Sequence, residues 1–325
     1  MRALASARIG VLTVALVAAG VITAGSAAAA PVTIELCAVP GATAPLPTTS
    51  PGVTVPIWGF GIPSTLGDCG TATVTVPGPV LSVNEGDVVS LTINNRLPAG
   101  HPISVDIPGV AFDPGPAEAP VGGSVTRTFT AAAGTYLYTS AADAGRQQAM
   151  GLYGLLIVRP ATANQAYAPA TTAFDVEAPM VLSVLDPAFN NSPETADLLT
   201  YRATWWLING RSYPDTQPIT AASGQRVLLR YANGGFDNTS MALLGGHQRV
   251  LARDAMLLTT VLDAAADTIP AGATEDTVFT VPSGPGPSSH GYAVYNRQPH
   301  VSNGAQLAAG PAPATGGGML TFIGP

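Results

Sequence analysis

Apolar and polar residues alternate along this chain in short runs, and glycine, proline and asparagine separate the runs. Residues 32–36 alternate and predict a first strand; an apolar piece follows at 55–59. Two β-rich runs flank Asn84-Glu-Gly-Asp87, so 77–95 reads as a hairpin. Residues 122–130 alternate again. The stretch 134–160, GTYLYTSAADAGRQQAMGLYGLLIVRP, starts with an alternating strand at 135–138 and crosses a polar, glycine-containing loop. It closes on Gly-Leu-Leu-Ile-Val at 154–158, a buried-strand run halted by Pro160. A strand, a functional loop and a final core strand form the expected end of a β-sandwich domain at residues 31–160. Residues 161–172 are rich in Ala, Thr and Pro, carry no charge, and read as a linker. A buried strand at 178–187 opens a second domain, 173–325. Asn190-Asn-Ser-Pro193 reads as a loop, and a glycine turn and last strand close the chain at 316–323. The predicted class is all-β, with two tandem sandwiches.

Composition agrees. The 325 residues include 36 Gly and 30 Pro with 46% hydrophobic residues, a mixture that favours many short strands and turns. Residues 1–30 read as a secretory signal peptide. Arg2 and Arg8 supply the positive end, 9–22 the apolar core, and Ala28-Ala29-Ala30 the small residues for cleavage. An uncleaved anchor is the alternative. No later segment is long and apolar enough to span a bilayer. The expected location is therefore exported, either secreted or associated with the cell envelope. The net charge of −7 and the lack of any basic run argue against nucleic-acid binding. All 13 cationic residues are Arg, which adds nothing about function. Cys37 and Cys69 are the only cysteines. In an exported chain a Cys37–Cys69 disulfide is the leading reading, worth about 3–4 kcal/mol by chain entropy. The competing reading makes one of them a metal thiolate.

Several motifs resemble the multicopper oxidases. The frame of their first cupredoxin domain is present as Gly134-Thr135-Tyr136, Tyr138, Gln147-Gln148, Met150-Gly151-Leu152-Tyr153-Gly154 and Ile157-Val158. The opening signature of that domain is matched by Pro77-Gly-Pro, Val83, Glu85-Gly-Asp87 and Asn94-Asn95. The middle domain of the three-domain members is resembled by 204–213, by 224–233 and by 250–254, where Ala255 replaces a usual glycine. It is also resembled by 269–279, with Gly272 and Asp276. The resemblance implies two tandem cupredoxin-like (plastocyanin-like) Greek-key sandwiches, a copper cofactor and oxidoreductase activity.

The copper ligands that the resemblance implies are missing. Two family histidines fall on Asp106 and Pro108, and two more on Thr139 and Ala141. Proline offers no side-chain donor, and a lone carboxylate such as Asp106 is a weak metal candidate. The family's trinuclear cluster takes eight histidines, and this chain has four, His101, His247, His290 and His300. Oligomerisation does not change that ratio, because every identical chain brings the same four. No cysteine follows Cys69 to serve as a copper thiolate. His247 lies in the 238–247 stretch, read as a loop; a structural or surface role is favoured for it, and it is otherwise a weak metal candidate. His290 and His300 bracket Tyr292, Tyr295 and Arg297 and form a weak metal pair. His101, in a proline-rich turn, reads as an exposed surface residue. No G-x-S-x-G, His-Glu-x-x-His or phosphate-binding glycine loop is present.

The expectation is a protein without a cofactor that acts as a binding or structural module. A copper-binding oxidoreductase with a reduced ligand set is the alternative. The binding surface of the copper-free module would be the loop 139–148 with Trp205, Trp206, Tyr292 and Tyr295, although core packing is the preferred role of the tryptophans. A third reading is a subunit that docks on another exported protein. The sequence leaves ligand, partner and oligomeric state open.

Overall fold

Period-two burial marks the strands that have one face in a core and one toward solvent. In β3 (Leu81–Asn84) and β4 (Val88–Asn95) alternate residues are buried, so one side of each strand enters a core. The computed structural model describes residues 31–47, 52–298, 300, 302–304 and 316–325. The signal peptide expected at 1–30 lies outside the described residues. Residues 31–325 form one compact unit.

The first half supplies β1 (Val32–Ala42), β2 (Pro56–Gly61), β5 (Val105–Asp106), β6 (Ser124–Thr130), β7 (Gly134–Ser140) and β8 (Tyr153–Arg159), besides β3 and β4. One sheet runs β2-β1-β4-β6 and the other β3-β8-β7-β5. They face each other across one core, with Leu36, Phe60, Leu91 and Phe129 from the first sheet and Val83, Tyr138, Leu156 and Val158 from the second. Cys37 and Cys69 are bonded, Cα to Cα 5.6 Å, pinning the segment after β2 to β1.

The turn at Asn84–Asp87 is not a hairpin. β3 pairs with β8 while β4 pairs with β1 and β6, so the turn carries the chain across the core from one sheet to the other. The Glu85 N–H donates to Arg159 O and the Gly86 N–H to Ala131 O, each at 2.8 Å. Alternation tells which side of a run is buried. It does not distinguish two runs that pair edge to edge from two that face each other.

The second half supplies β9 (Val176–Leu185), β10 (Trp205–Ile208), β11 (Ile219–Thr220), β12 (Arg226–Asn233), β13 (Thr239–Leu243) and β14 (Gln248–Arg253). It continues with β15 (Met256–Ala264), β16 (Ala266–Ile269), β17 (Thr274–Thr280), β18 (Tyr292–Asn296) and β19 (Leu320–Gly324). Its sheets run β10-β9-β12-β17-β14-β15 and β11-β19-β18-β13-β16 around a second core. Half of the stretch 238–247, read as a loop, is β13. Asn190 and Asn191 end a short helix, α2 (Pro187–Asn191), whose first turn is capped by Asp186 Oδ1 accepting from Ala188 N at 2.9 Å.

β8 explains its own sequence. Leu156 and Val158 enter the first core, whereas Tyr153, Leu155 and Ile157 meet Val181 and Ala232 of the second half. A strand covered on both faces reads as an unbroken apolar run. The 161–172 segment is packed, with Ala166, Tyr167 and Thr172 buried.

The two halves end equivalent strands in the same way. Asn95 closes β4, donating from Nδ2 to His101 O (2.9 Å) and Ala119 O (3.0 Å) and accepting at Oδ1 from Leu97 N (2.9 Å). Asn233 closes β12, donating to Asp237 O (2.8 Å) and Ile269 O (2.9 Å) and accepting from Gly235 N (3.0 Å). Both are fully buried. Removing either leaves buried carbonyls without donors. Asn95→Ala and Asn233→Ala are each expected to lower stability by about 2–4 kcal/mol in denaturant unfolding.

Glu275 on β17 gives the fold a pH signature. Its buried carboxyl is pushed up to about 8 by desolvation and by the neighbouring Asp267 charge, against the pull of Arg253, whose Nε lies 3.1 Å away. The folded state therefore holds this proton more tightly than the unfolded chain does. The stability contributed by Glu275 is present at low pH and is lost as pH rises from about 4.5 toward 8. Glu275→Gln is expected to flatten that slope, so that the variant gains on the parent in unfolding measured at pH 8 relative to pH 5.

Candidate functional site

Strands β5 and β7 carry two of the four positions that the resemblance equates with family ligands, and the other two follow the strands within two residues. Asp106 pairs in register with Thr139, and Val105 with Ser140. Beyond the strand ends, the Ala141 N–H donates to Ser104 O at 2.9 Å. Alternation then sorts the side chains. Val105, Ile107, Ser140 and Ala142 are buried, Asp106, Pro108 and Ala141 are exposed, and Thr139 is half-buried. Three of the four thus form an exposed rim along and just beyond this strand pair, with Thr139 half-buried among them. Behind it Arg127 donates to Val105 O at 2.6 Å and stacks on Phe112, 4.0 Å from the ring centre. Burial lowers the Arg127 pKa, and the Asp106 charge raises it in part.

This rim does not fit a copper cluster. Pro108 and Ala141 carry no donor, and the Thr139 hydroxyl points back to Leu152 O at 3.4 Å. Asp106 is a single hard oxygen donor, poorly matched to copper. Both cysteines are consumed in the disulfide. Among the described residues no group of three or more His, Cys, Asp or Glu is placed to hold a metal.

The histidines are not brought together. His290 lies against Phe322 of β19, and His300 stacks on Trp206 with centroids 3.6 Å apart. The first is beside Gly324 and the second beside Gly318, on either side of the β18–β19 pair. Burial lowers the His300 pKa. His247 is exposed in the turn after β13. The expected aromatic surface divides as well. Trp205 is buried with Leu185 and Leu207, Tyr292 packs on Phe279, and Trp206 and Tyr295 are half-buried.

His101 is the principal correction. It is 6% exposed rather than a surface residue, and its ring packs on Trp58 at 4.6 Å. Nδ1 lies 2.8 Å from Asp143 Oδ2, and Nε2 lies 3.0 Å from the Glu194 carboxylate. Asp143 belongs to the 139–148 loop, which is partly helical and ends in α1 (Arg146–Met150). Gln147 anchors that loop, donating to Pro102 O at 2.7 Å and accepting from Ser140 Oγ at 2.6 Å. Glu194 comes from the excursion between β9 and β10. His101 thus ties the loop beside the rim to a segment 93 residues away in sequence. That separation is why no local pattern announced it.

Known proteins share this architecture. A family model described as multicopper oxidase matches residues 69–163. The blue copper oxidase from Nitrosomonas europaea superimposes with a TM-score of 0.73 at 19% identity, covering 91% of this chain and 86% of that one. The fold is that of the multicopper oxidases. The multicopper oxidase mgLAC gives a TM-score of 0.71 at 20% identity over 90% of this chain and 86% of its own. The copper nitrite reductase from Nitrosomonas europaea gives 0.66 at 22% identity, over 83% and 89% respectively. No curated protein matches the sequence. The multicopper-oxidase fold is therefore present as tandem cupredoxin-like sandwiches, with a rim whose side chains do not suit its metal.

His101→Ala would leave a cavity beside Trp58 and strip Asp143 Oδ2 of its hydrogen-bond partner, leaving Arg146 3.6 Å from Oδ1. The expected loss is about 2–4 kcal/mol. Glu194→Ala removes a carboxylate that is 57% exposed and is expected to cost under about 1 kcal/mol. Thermal unfolding of the two variants, side by side, checks this order.

Proposed function

We propose that this protein is an exported, multicopper-oxidase-like module that works by binding or as a structural element and holds no copper. The observation that supports this most is the rim itself. Asp106, Pro108, Thr139 and Ala141, which the resemblance equates with family ligands, lie on β5 and β7 or within two residues of their ends, and among the described residues no group of His, Cys, Asp or Glu is placed to hold a metal. The Cys37–Cys69 disulfide and the signal-like residues 1–30 support export. The acidic charge supports a protein or small-molecule partner in the exported space rather than nucleic acid.

The test is metal stoichiometry. The purified protein is incubated with excess Cu(II), desalted, and its metal counted by mass spectrometry with an absorption spectrum alongside. Copper well below one per chain, without a blue band, is the expected result. One tightly held copper per chain overturns the copper-free reading in favour of a reduced copper site. Three or four overturn the account of the rim as well.

A further inference from the structure

A histidine ring carries one N–H when neutral and two when protonated. Both ring nitrogens of His101 face a carboxylate. Nδ1 meets Asp143 Oδ2 at 2.8 Å, and Nε2 stands 3.0 Å from each Glu194 oxygen. A neutral ring donates to one of them only and turns a lone pair toward the other. The imidazolium alone satisfies both. The charged and titratable groups around the ring come from two elements. The 139–148 loop supplies Asp143 and, 3.6 Å beyond its carboxylate, Arg146. The excursion between β9 and β10 supplies Glu194. β2 presents the uncharged Trp58, and the turn 98–102 carries no other titratable side chain.

The two carboxylates are not equivalent. The Asp143 side chain is 24% exposed and that of Glu194 57%. Asp143 and Ala144 have φ of 60° and 47°, the left-handed region that residues other than glycine seldom adopt, so this part of the loop needs an outside contact to hold its shape. The bond from His101 to Asp143 is such a contact. Glu194 has no other hydrogen-bond or ion-pair partner among the described residues, and its half-exposed carboxylate can turn into water at little cost. When the ring holds a single N–H, Nδ1 is therefore the nitrogen that keeps it.

We infer that His101 is a pH-operated clasp between the 139–148 loop and the excursion that carries Glu194. Protonated, the ring donates to Asp143 and Glu194 together; neutral, it keeps Asp143 and releases Glu194. Histidine changes charge between about pH 5 and 8, so an acidic medium closes the clasp and an alkaline one opens it. The release is local, because Ala196 and Leu198 stay packed against the first core and Arg146 donates to Ala196 O at 3.3 Å. The clasp uses no rim residue, so it stands whether or not copper binds there.

NMR of the purified, ¹⁵N-labelled protein from about pH 5 to about pH 9 tests it, following the histidine ring nitrogens and the backbone amides. Both His101 ring nitrogens are expected to carry protons at the acid end and Nδ1 alone at the alkaline end. The Glu194 and Thr195 amides are expected to move along the same curve as the ring. Glu194→Gln presents a carbonyl oxygen to an N–H or an NH₂ to a lone pair, so it suits both ring forms, and the movement of these amides is expected to be lost. The substitution is isosteric at a half-exposed position, and unchanged amide shifts in β1–β8 establish that the variant is folded. A ring with one proton at both ends of the range, a neutral ring protonated at Nε2, or amides that do not follow the ring overturns the proposal. Movement that persists in Glu194→Gln belongs to another titrating group, such as Glu275, and overturns it as well.

Discussion

The Arg230 guanidinium lies wholly inside the protein between the two sandwiches, where an uncompensated charge would cost several kcal/mol. Its surroundings answer most of that cost, and only the second terminal nitrogen has no partner among the described residues. Nε donates to Glu177 at 2.8 Å, and one terminal nitrogen donates to Thr135 at 2.8 Å and lies 3.3 Å from Asp276. Asp276 also accepts from Thr135 and from Tyr167, each at 2.6 Å. Burial would raise the Glu177 carboxyl, but Arg159 and Arg230 outweigh it and hold it below the usual carboxylate range. Burial and the Asp276 charge push the Tyr167 hydroxyl up. Three parts of the chain meet here: β7 of the first sandwich, the connecting segment, and β9, β12 and β17 of the second. Such a network adds little net stability, yet it fixes register, because a shifted β7 would leave charges unpaired in a dry interior.

The same network sets the rim. Thr135 and Thr139 belong to one strand, so the bond that locks Thr135 to Asp276 also fixes where Thr139 and its partner Asp106 emerge. Near the start of β7, Gly134 has no side chain, and Ala255 of the β14–β15 turn occupies the space, 2.4 Å from where a Cβ would stand. The first sandwich is thereby seated against the second at both polar and apolar contacts.

This seating gives a physical reason why the frame of the fold persists while the metal-ligand positions differ. Asn95, Asn233, Gln147 and Tyr138 are buried and bonded within the scaffold, and a side chain at Gly154 would collide with the Tyr138 hydroxyl group at 2.2 Å. Each is needed whether or not a metal is present. Asp106, Pro108 and Ala141 point outward and bear no part of the core.

Local pattern determined a great deal by itself. Period-two alternation marked most strands, the apolar run at 154–158 marked a strand covered on both faces, and the cysteine pair marked the disulfide. These properties are written in neighbouring residues, because side-chain direction repeats every two positions and turn residues act locally. Tertiary structure alone decided the rest. It sent β3 and β4 to facing sheets, buried His101 between carboxylates on either side of it, and separated His290 from His300. Each of these depends on groups far apart in sequence that come into reach only when the sheets close on their cores, and no spacing along the chain encodes that distance.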